Sequence, residues 1–71
     1  MKPETAIIIA NGEQKEIELP CSVRDFLASC GIRATQVVVE HNGRALERDR
    51  LREVELRDGD RLEVIVPVAG G

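Results

Sequence analysis

Residues 5–31 read TAIIIANGEQKEIELPCSVRDFLASCG, and this stretch decides the fold. The apolar run over 6–10 meets Asn11-Gly12, a dipeptide suited to the two left-handed positions of a tight hairpin turn. The return strand alternates, with Ile17 and Leu19 on one face and Glu16 and Glu18 on the other. Pro20 closes it, having no N–H to give to a ladder. A short helix follows. Ser22 stands at the N-cap with Asp25 three residues on, the capping-box spacing with Asp in place of Glu. Cys21 and Phe26 take the staple positions around that cap. Val23, Phe26, Leu27 and Cys30 fall at i, i+3, i+4 and i+7, one apolar stripe. Gly31 suits the left-handed position after the helix, where Ile32 can fold back on Leu27. A hairpin followed by a capped amphipathic helix is the expected opening.

Outward from this stretch, QVVVEHNG (36–43) reads as a third strand ending in a second Asn-Gly turn. RALERDRLREVEL (44–56) reads as a short edge strand at Ala45-Leu46, then an irregular, partly helical connection anchored by Leu51, Val54 and Leu56. Asp and Glu interleave with Arg44, Arg48, Arg50 and Arg52, which describes a self-neutralised surface better than an anion site. Asp58-Gly59-Asp60 is a tight turn, and RLEVIVP (61–67) the last strand. Glu63 belongs in water, so Leu62, Val64 and Val66 are expected to face the core. Ile65 is then left on the outer face, with Val38 of the third strand as its neighbour and the pair as a candidate partner contact. Pro67 should end the pairing.

Hairpin, helix and returning strands give an α+β domain. Two strands joined through a helix crossover, with the terminal strand returning to the middle, predict a ubiquitin-like β-grasp. Its mixed β-sheet carries one main helix packed on one face. Residues 1–67 form this domain, and Val68, Ala69, Gly70 and Gly71 form a flexible C-terminal tail.

Composition narrows the function. Seventy-one residues make one domain with a thin core, so a deep pocket holding its own catalytic machinery is not expected. A net charge of −3 and a single aromatic residue, Phe26, exclude the basic patch and stacking platforms that nucleic acid requires. There is no signal peptide and no run of ~18 apolar residues, which predicts a cytoplasmic protein away from membranes, monomeric when free. Two cysteines and one histidine form no ligand set, so no metal and no bound cofactor are expected. The cysteines read as reduced thiols, Cys30 packed as a small hydrophobe and Cys21 the more open to modification. No phosphate loop or nucleophile elbow is present, and His41, on a strand face with Val37 and Val39, reads as a half-buried structural residue.

One reactive group remains, the α-carboxylate of Gly71. It is ionised at neutral pH, with a pKa of about 3.3–3.7, and a carboxylate is a poor electrophile. Adenylation would neutralise it and install a leaving group that a sulfur nucleophile could displace. Gly70 and Gly71 lack a Cβ and can thread a narrow channel. From Pro67 the extended chain reaches roughly 17 Å.

HNGRAL followed by RDGDRLEVIVPVAGG, with Asn42, Arg48, Asp58-Gly59-Asp60 and Ala69-Gly70-Gly71, resembles the sulfur-carrier proteins of thiamin biosynthesis, the ThiS type. The likeness is best over residues 37–71, and the hairpin–helix half agrees in order and length. It implies a protein co-substrate rather than an enzyme. An E1-like adenylyltransferase (ThiF type) would use ATP to activate Gly71. A cysteine desulfurase persulfide would supply sulfur for a thiocarboxylate, and a thiazole synthase (ThiG type) would take that sulfur. Pro67-Val68 before Ala69-Gly70-Gly71 also resembles the small subunit of molybdopterin synthase (MoaD type), so a molybdopterin pathway stays open at this point. So does a plain β-grasp interaction module with an inert tail.

Overall fold

In the computed structural model, which describes residues 3–67, the hairpin forms β1 (Thr5–Ala10) and β2 (Glu13–Glu18), with Ala6 opposite Ile17 and Ala10 opposite Glu13. Asn11 and Gly12 take φ of 49° and 82° between them, the left-handed pair that a two-residue hairpin needs. Ala6, Ile8 and Ala10 are buried, while β2 contributes only Ile17 to the core.

Helix α1 (Val23–Ser29) is capped as its sequence predicts. The Asp25 N–H donates to Ser22 Oγ at 3.0 Å, and the Ser22 N–H to Asp25 Oδ2 at 3.4 Å. At the other end the Gly31 N–H donates to the Ala28 carbonyl and the Ile32 N–H to the Leu27 carbonyl. That pair of hydrogen bonds, with Gly31 at φ 74°, is a Schellman motif. Val23, Phe26 and Leu27 are buried against the sheet.

Cys30 does not pack as expected, whereas Cys21 does pack, as its staple position suggests. The helix ends at Ser29, so Cys30 is its C-cap (φ −89°, ψ 0°) and is exposed. The chain has begun to turn there, and Ile32 folds back to cover the core in its stead. Cys21, one residue before the N-cap, is the thiol that packs against the core.

After a 3-10 turn at Ala34–Gln36, which the sequence did not suggest, come β3 (Val38–His41) and β4 (Arg44–Leu46), then β5 (Arg61–Ile65). The sheet order is β2-β1-β5-β3-β4. The central β1–β5 pair is parallel and the other pairs are antiparallel. The short β4 is an edge, as expected. This is the ubiquitin-like β-grasp, with the last strand inserted beside the first.

The connection over 47–57 contains a 3-10 turn at Arg48–Arg50 and buries Leu51 and Leu56, with Val54 partly covered. It is tied to the start of α1. The Val23 N–H donates to the Val54 carbonyl, the Arg24 N–H to the Leu51 carbonyl, and the Leu56 N–H to the Cys21 carbonyl. Amides that a helix N-terminus leaves unpaired thus fix the irregular segment. Its charges pair sparsely: Arg50 meets Glu53 at 3.0 Å, while Arg48 donates to the Thr35 backbone carbonyl.

A second correction concerns β5. Leu62 is fully buried and Val64 partly so, but Val66 is 68% exposed rather than in the core. Val38 opens β3 and lies opposite Ile65, so β5 has no partner strand beyond Ile65. Pairing stops there, two residues ahead of Pro67.

Candidate functional site

Strand β5 is the last strand among the described residues. The four tail residues assigned roles from the sequence (Val68, Ala69, Gly70 and Gly71) lie outside the described residues. Ile65 and Val38, the expected partner contact, are direct cross-strand neighbours on the sheet face away from α1. They are 47% and 44% exposed. Opposed aliphatic pairs support each other on a sheet, yet about half of each side chain remains open to water. Val66, the next residue after Ile65, is also exposed. Below this patch the next outward pair is Glu40 opposite Glu63, and the patch therefore has an acidic border.

The turn before β5 is held by polar contacts. His41 Nε2 lies 3.0 Å from Asp60 Oδ2, the Asn42 amide donates to Asp60 Oδ1 at 3.1 Å, and the Arg57 N–H donates to Asp60 Oδ2 at 2.8 Å. Partial burial works to raise the Asp60 pKa, but the hydrogen bonds from His41, Asn42 and Arg57 outweigh it. Its carboxyl is held below the ordinary carboxylate value. His41 is thus a half-buried structural residue, as its position among Val37 and Val39 suggests.

Asn42 has a second task that its role in the turn conceals. Its φ of 50° swings its own carbonyl away, and its Oδ1 accepts the Arg61 N–H at 2.8 Å instead. Sequence reasoning selects this residue for its tolerance of positive φ, like Asn11, and as part of the family resemblance, and neither discloses this bond. The available signal is the side-chain amide itself, which offers a donor and an acceptor where aspartate offers acceptors alone.

Burial, and then the nearby Asp25 charge and Cys30, push the Cys21 thiol above its ordinary pKa. A protonated thiol is a weak nucleophile. Among the described residues no group of three or more His, Cys, Asp or Glu side chains could hold a metal ion. No helix among them is long and apolar enough to cross a membrane.

Comparison with known proteins agrees with this geometry. The sequence model of the ThiS family matches residues 8–71. A sulfur carrier protein ThiS of Bacillus subtilis is 38% identical over 50 residues, covering 70% of this chain and 76% of that one. A thiazole synthase of Paramagnetospirillum magneticum is 28% identical over 64 residues, 90% of this chain; the chain spans only 20% of that protein's length. The crystal structure of the thiamine biosynthesis protein ThiS from Geobacter metallireducens superposes with a TM-score of 0.79 at 28% identity, covering 92% of this chain and 99% of that one. A solution structure of a thiamine biosynthesis protein from the same organism gives 0.75 at 28% identity, covering 92% and 87%. With a matching β-grasp sheet and a family match that includes both glycines after Ala69, the chain belongs to the ThiS family of sulfur carriers in thiamine biosynthesis.

Proposed function

We propose that the chain carries sulfur as a thiocarboxylate on Gly71. The Gly71 carboxylate attacks the α-phosphate of ATP on an E1-like adenylyltransferase of the ThiF type, releasing pyrophosphate and leaving an acyl-adenylate. The terminal sulfur of a persulfide, made by a cysteine desulfurase, attacks the acyl carbon and expels AMP. A thiol then cleaves the resulting acyl disulfide, leaving the thiocarboxylate. A thiazole synthase of the ThiG type takes the sulfur, and the carrier returns to its carboxylate. ATP serves the partner; the carrier itself holds no cofactor and is a co-substrate rather than a catalyst.

The observation that carries this reading is the family match through Gly71. It joins the chemistry of an activatable glycine carboxylate to a fold whose exposed apolar patch lies where the chain leaves the sheet. In this reading residues 1–67 are the domain that partners hold, and Val68 to Gly71 are the arm that enters their sites. Ile65 and Val38 anchor the adenylyltransferase. The similarity to a segment of a thiazole synthase supports that enzyme as the acceptor and favours thiamine over molybdopterin.

The test is carrier-dependent exchange of labelled pyrophosphate into ATP, catalysed by a ThiF-type enzyme. Exchange is expected with the full chain and should vanish when Gly71 is deleted or one residue is appended after it. Exchange that persists in both variants would refute activation at Gly71.

A further inference from the structure

On the β1 side, the end of β5 is bonded by a side chain rather than by a strand. On the β3 side the ladder runs to the end of β5, where Val38 faces Ile65. On the β1 side it stops early, at Ile9 opposite Arg61 and Ala10 opposite Leu62. The last backbone bond there is from the Asn11 N–H to the Leu62 carbonyl, at 2.9 Å. A parallel ladder would next join the Val64 N–H to the Asn11 carbonyl. Asn11 cannot supply that carbonyl, because its φ of 49° has already turned the backbone into the hairpin. Its side chain takes over. Asn11 Oδ1 accepts the Val64 N–H at 2.8 Å, and Asn11 Nδ2 donates to the Val64 carbonyl at 3.3 Å.

One amide thus replaces a strand residue and holds both polar backbone groups of Val64, next to Ile65. Asn42 uses the same device at the start of β5, with its side-chain oxygen on the Arg61 N–H. The two clasps differ in what surrounds them. Around Arg61 the backbone also bonds, from the Asn42 N–H to the Arg61 carbonyl at 2.9 Å. Beyond Leu62 on the β1 side, the bonds to Val64 all come from the Asn11 side chain.

We infer that Asn11 is a positioning residue for the carrier reaction: its amide aims the C-terminal exit of β5, so that a partner holding the sheet face receives the tail at its active site. This rests on the sulfur-carrier reading. Small misalignments are costly in such reactions, since about 1 Å at the reacting atoms can cost on the order of 100-fold.

The test compares wild type with Asn11→Gly and Asn11→Asp. Glycine keeps the left-handed turn and removes the clasp. Aspartate keeps the acceptor for the Val64 N–H but sets a carboxylate oxygen against the Val64 carbonyl. In a pyrophosphate-exchange assay with a ThiF-type enzyme, Asn11→Gly is expected to lower kcat on the order of tenfold, part of the loss such displacement can bring. KM should stay within about twofold, because the Val38–Ile65 patch remains intact. Asn11→Asp should fall between the two. Residual dipolar couplings of the Val64, Ile65 and Val66 amides should change in Asn11→Gly while those of β3 do not. Unchanged couplings, or changed couplings with unchanged kcat, overturn the inference. If wild type itself supports no exchange, the carrier reading fails and takes the reaction role of Asn11 with it; the dipolar couplings then report on the clasp alone.

Discussion

Replacing Ile65 with aspartate separates the partner contact from the fold. Full burial of an isoleucine side chain contributes about 1.5–3 kcal/mol. Ile65 is 47% exposed, so roughly half of its surface is already covered within the sheet. The other half, about 0.7–1.5 kcal/mol by the same measure, is what a partner can cover. Aspartate forfeits that term and adds a carboxylate to be desolvated, so binding to the adenylyltransferase should weaken by at least ~1–2 kcal/mol. That is roughly a 5- to 30-fold rise in Kd. Losing the internal half costs the fold about 1 kcal/mol, a fall in Tm of some 4–8 °C in a domain of this size. The control is Ile7→Asp. Ile7 is 46% exposed but lies beside the turn that precedes β5, its carbonyl accepting the Gly59 N–H. It should lose similar stability with little change in affinity. Titration calorimetry on folded protein gives the affinities and thermal melts the stabilities. Unaltered affinity in Ile65→Asp, or an equal loss in both variants, would refute the assignment of the patch.

Three further outcomes follow from the geometry. Cys30→Ser should change stability by less than about 0.5 kcal/mol, as an exposed position does, whereas Cys21→Ser should cost about 1 kcal/mol by placing a hydroxyl in a partly buried site. Both should still accept sulfur at Gly71, and loss of sulfur transfer in either folded variant would contradict the chemistry. Asp60 makes stability depend on acid. Its folded pKa lies below the unfolded value of about 3.9, so its contribution is fully present above that value and is lost as pH falls through the folded one. The stability gap between wild type and Asp60→Asn, measured by urea unfolding, should therefore shrink from pH 7 toward about pH 3; a gap independent of pH would contradict this. Ser22→Ala removes one side of the capping box and should cost about 1 kcal/mol, read from the urea midpoint; no shift would mean that the cap is dispensable.

What could be read in the sequence was what short-range chemistry determines. The hairpin, both Asn-Gly turns, the Ser22–Asp25 box and the Gly31 cap depend on residues within a few positions of each other, and all stand as expected. The outward pairing of Ile65 and Val38 followed from strand alternation and the placement of Glu63. Periodicity failed at element ends, because it does not know where the partner stops. Val66 keeps the alternation of β5 but has lost its neighbour, and Cys30 keeps the helical spacing one residue past the helix. The clasp between Asn11 and Val64 was illegible for another reason: it joins residues 53 positions apart through an amide that local rules explain as a turn. In 44–56 the anchors Leu51 and Leu56 were legible, but the path between them is set by bonds to the start of α1. The Gly71 carboxylate was found by elimination and resemblance, and its role is a matter for chemistry.

Intact-mass and fragment-ion spectrometry test that role most directly. The chain is incubated with ATP, a ThiF-type adenylyltransferase, a cysteine desulfurase, cysteine and a thiol reductant. The account predicts the replacement of one oxygen by one sulfur, confined to the fragment that ends in Gly71 and dependent on ATP. Sulfur found on Cys21 or Cys30, or sulfur gained without ATP, would contradict it.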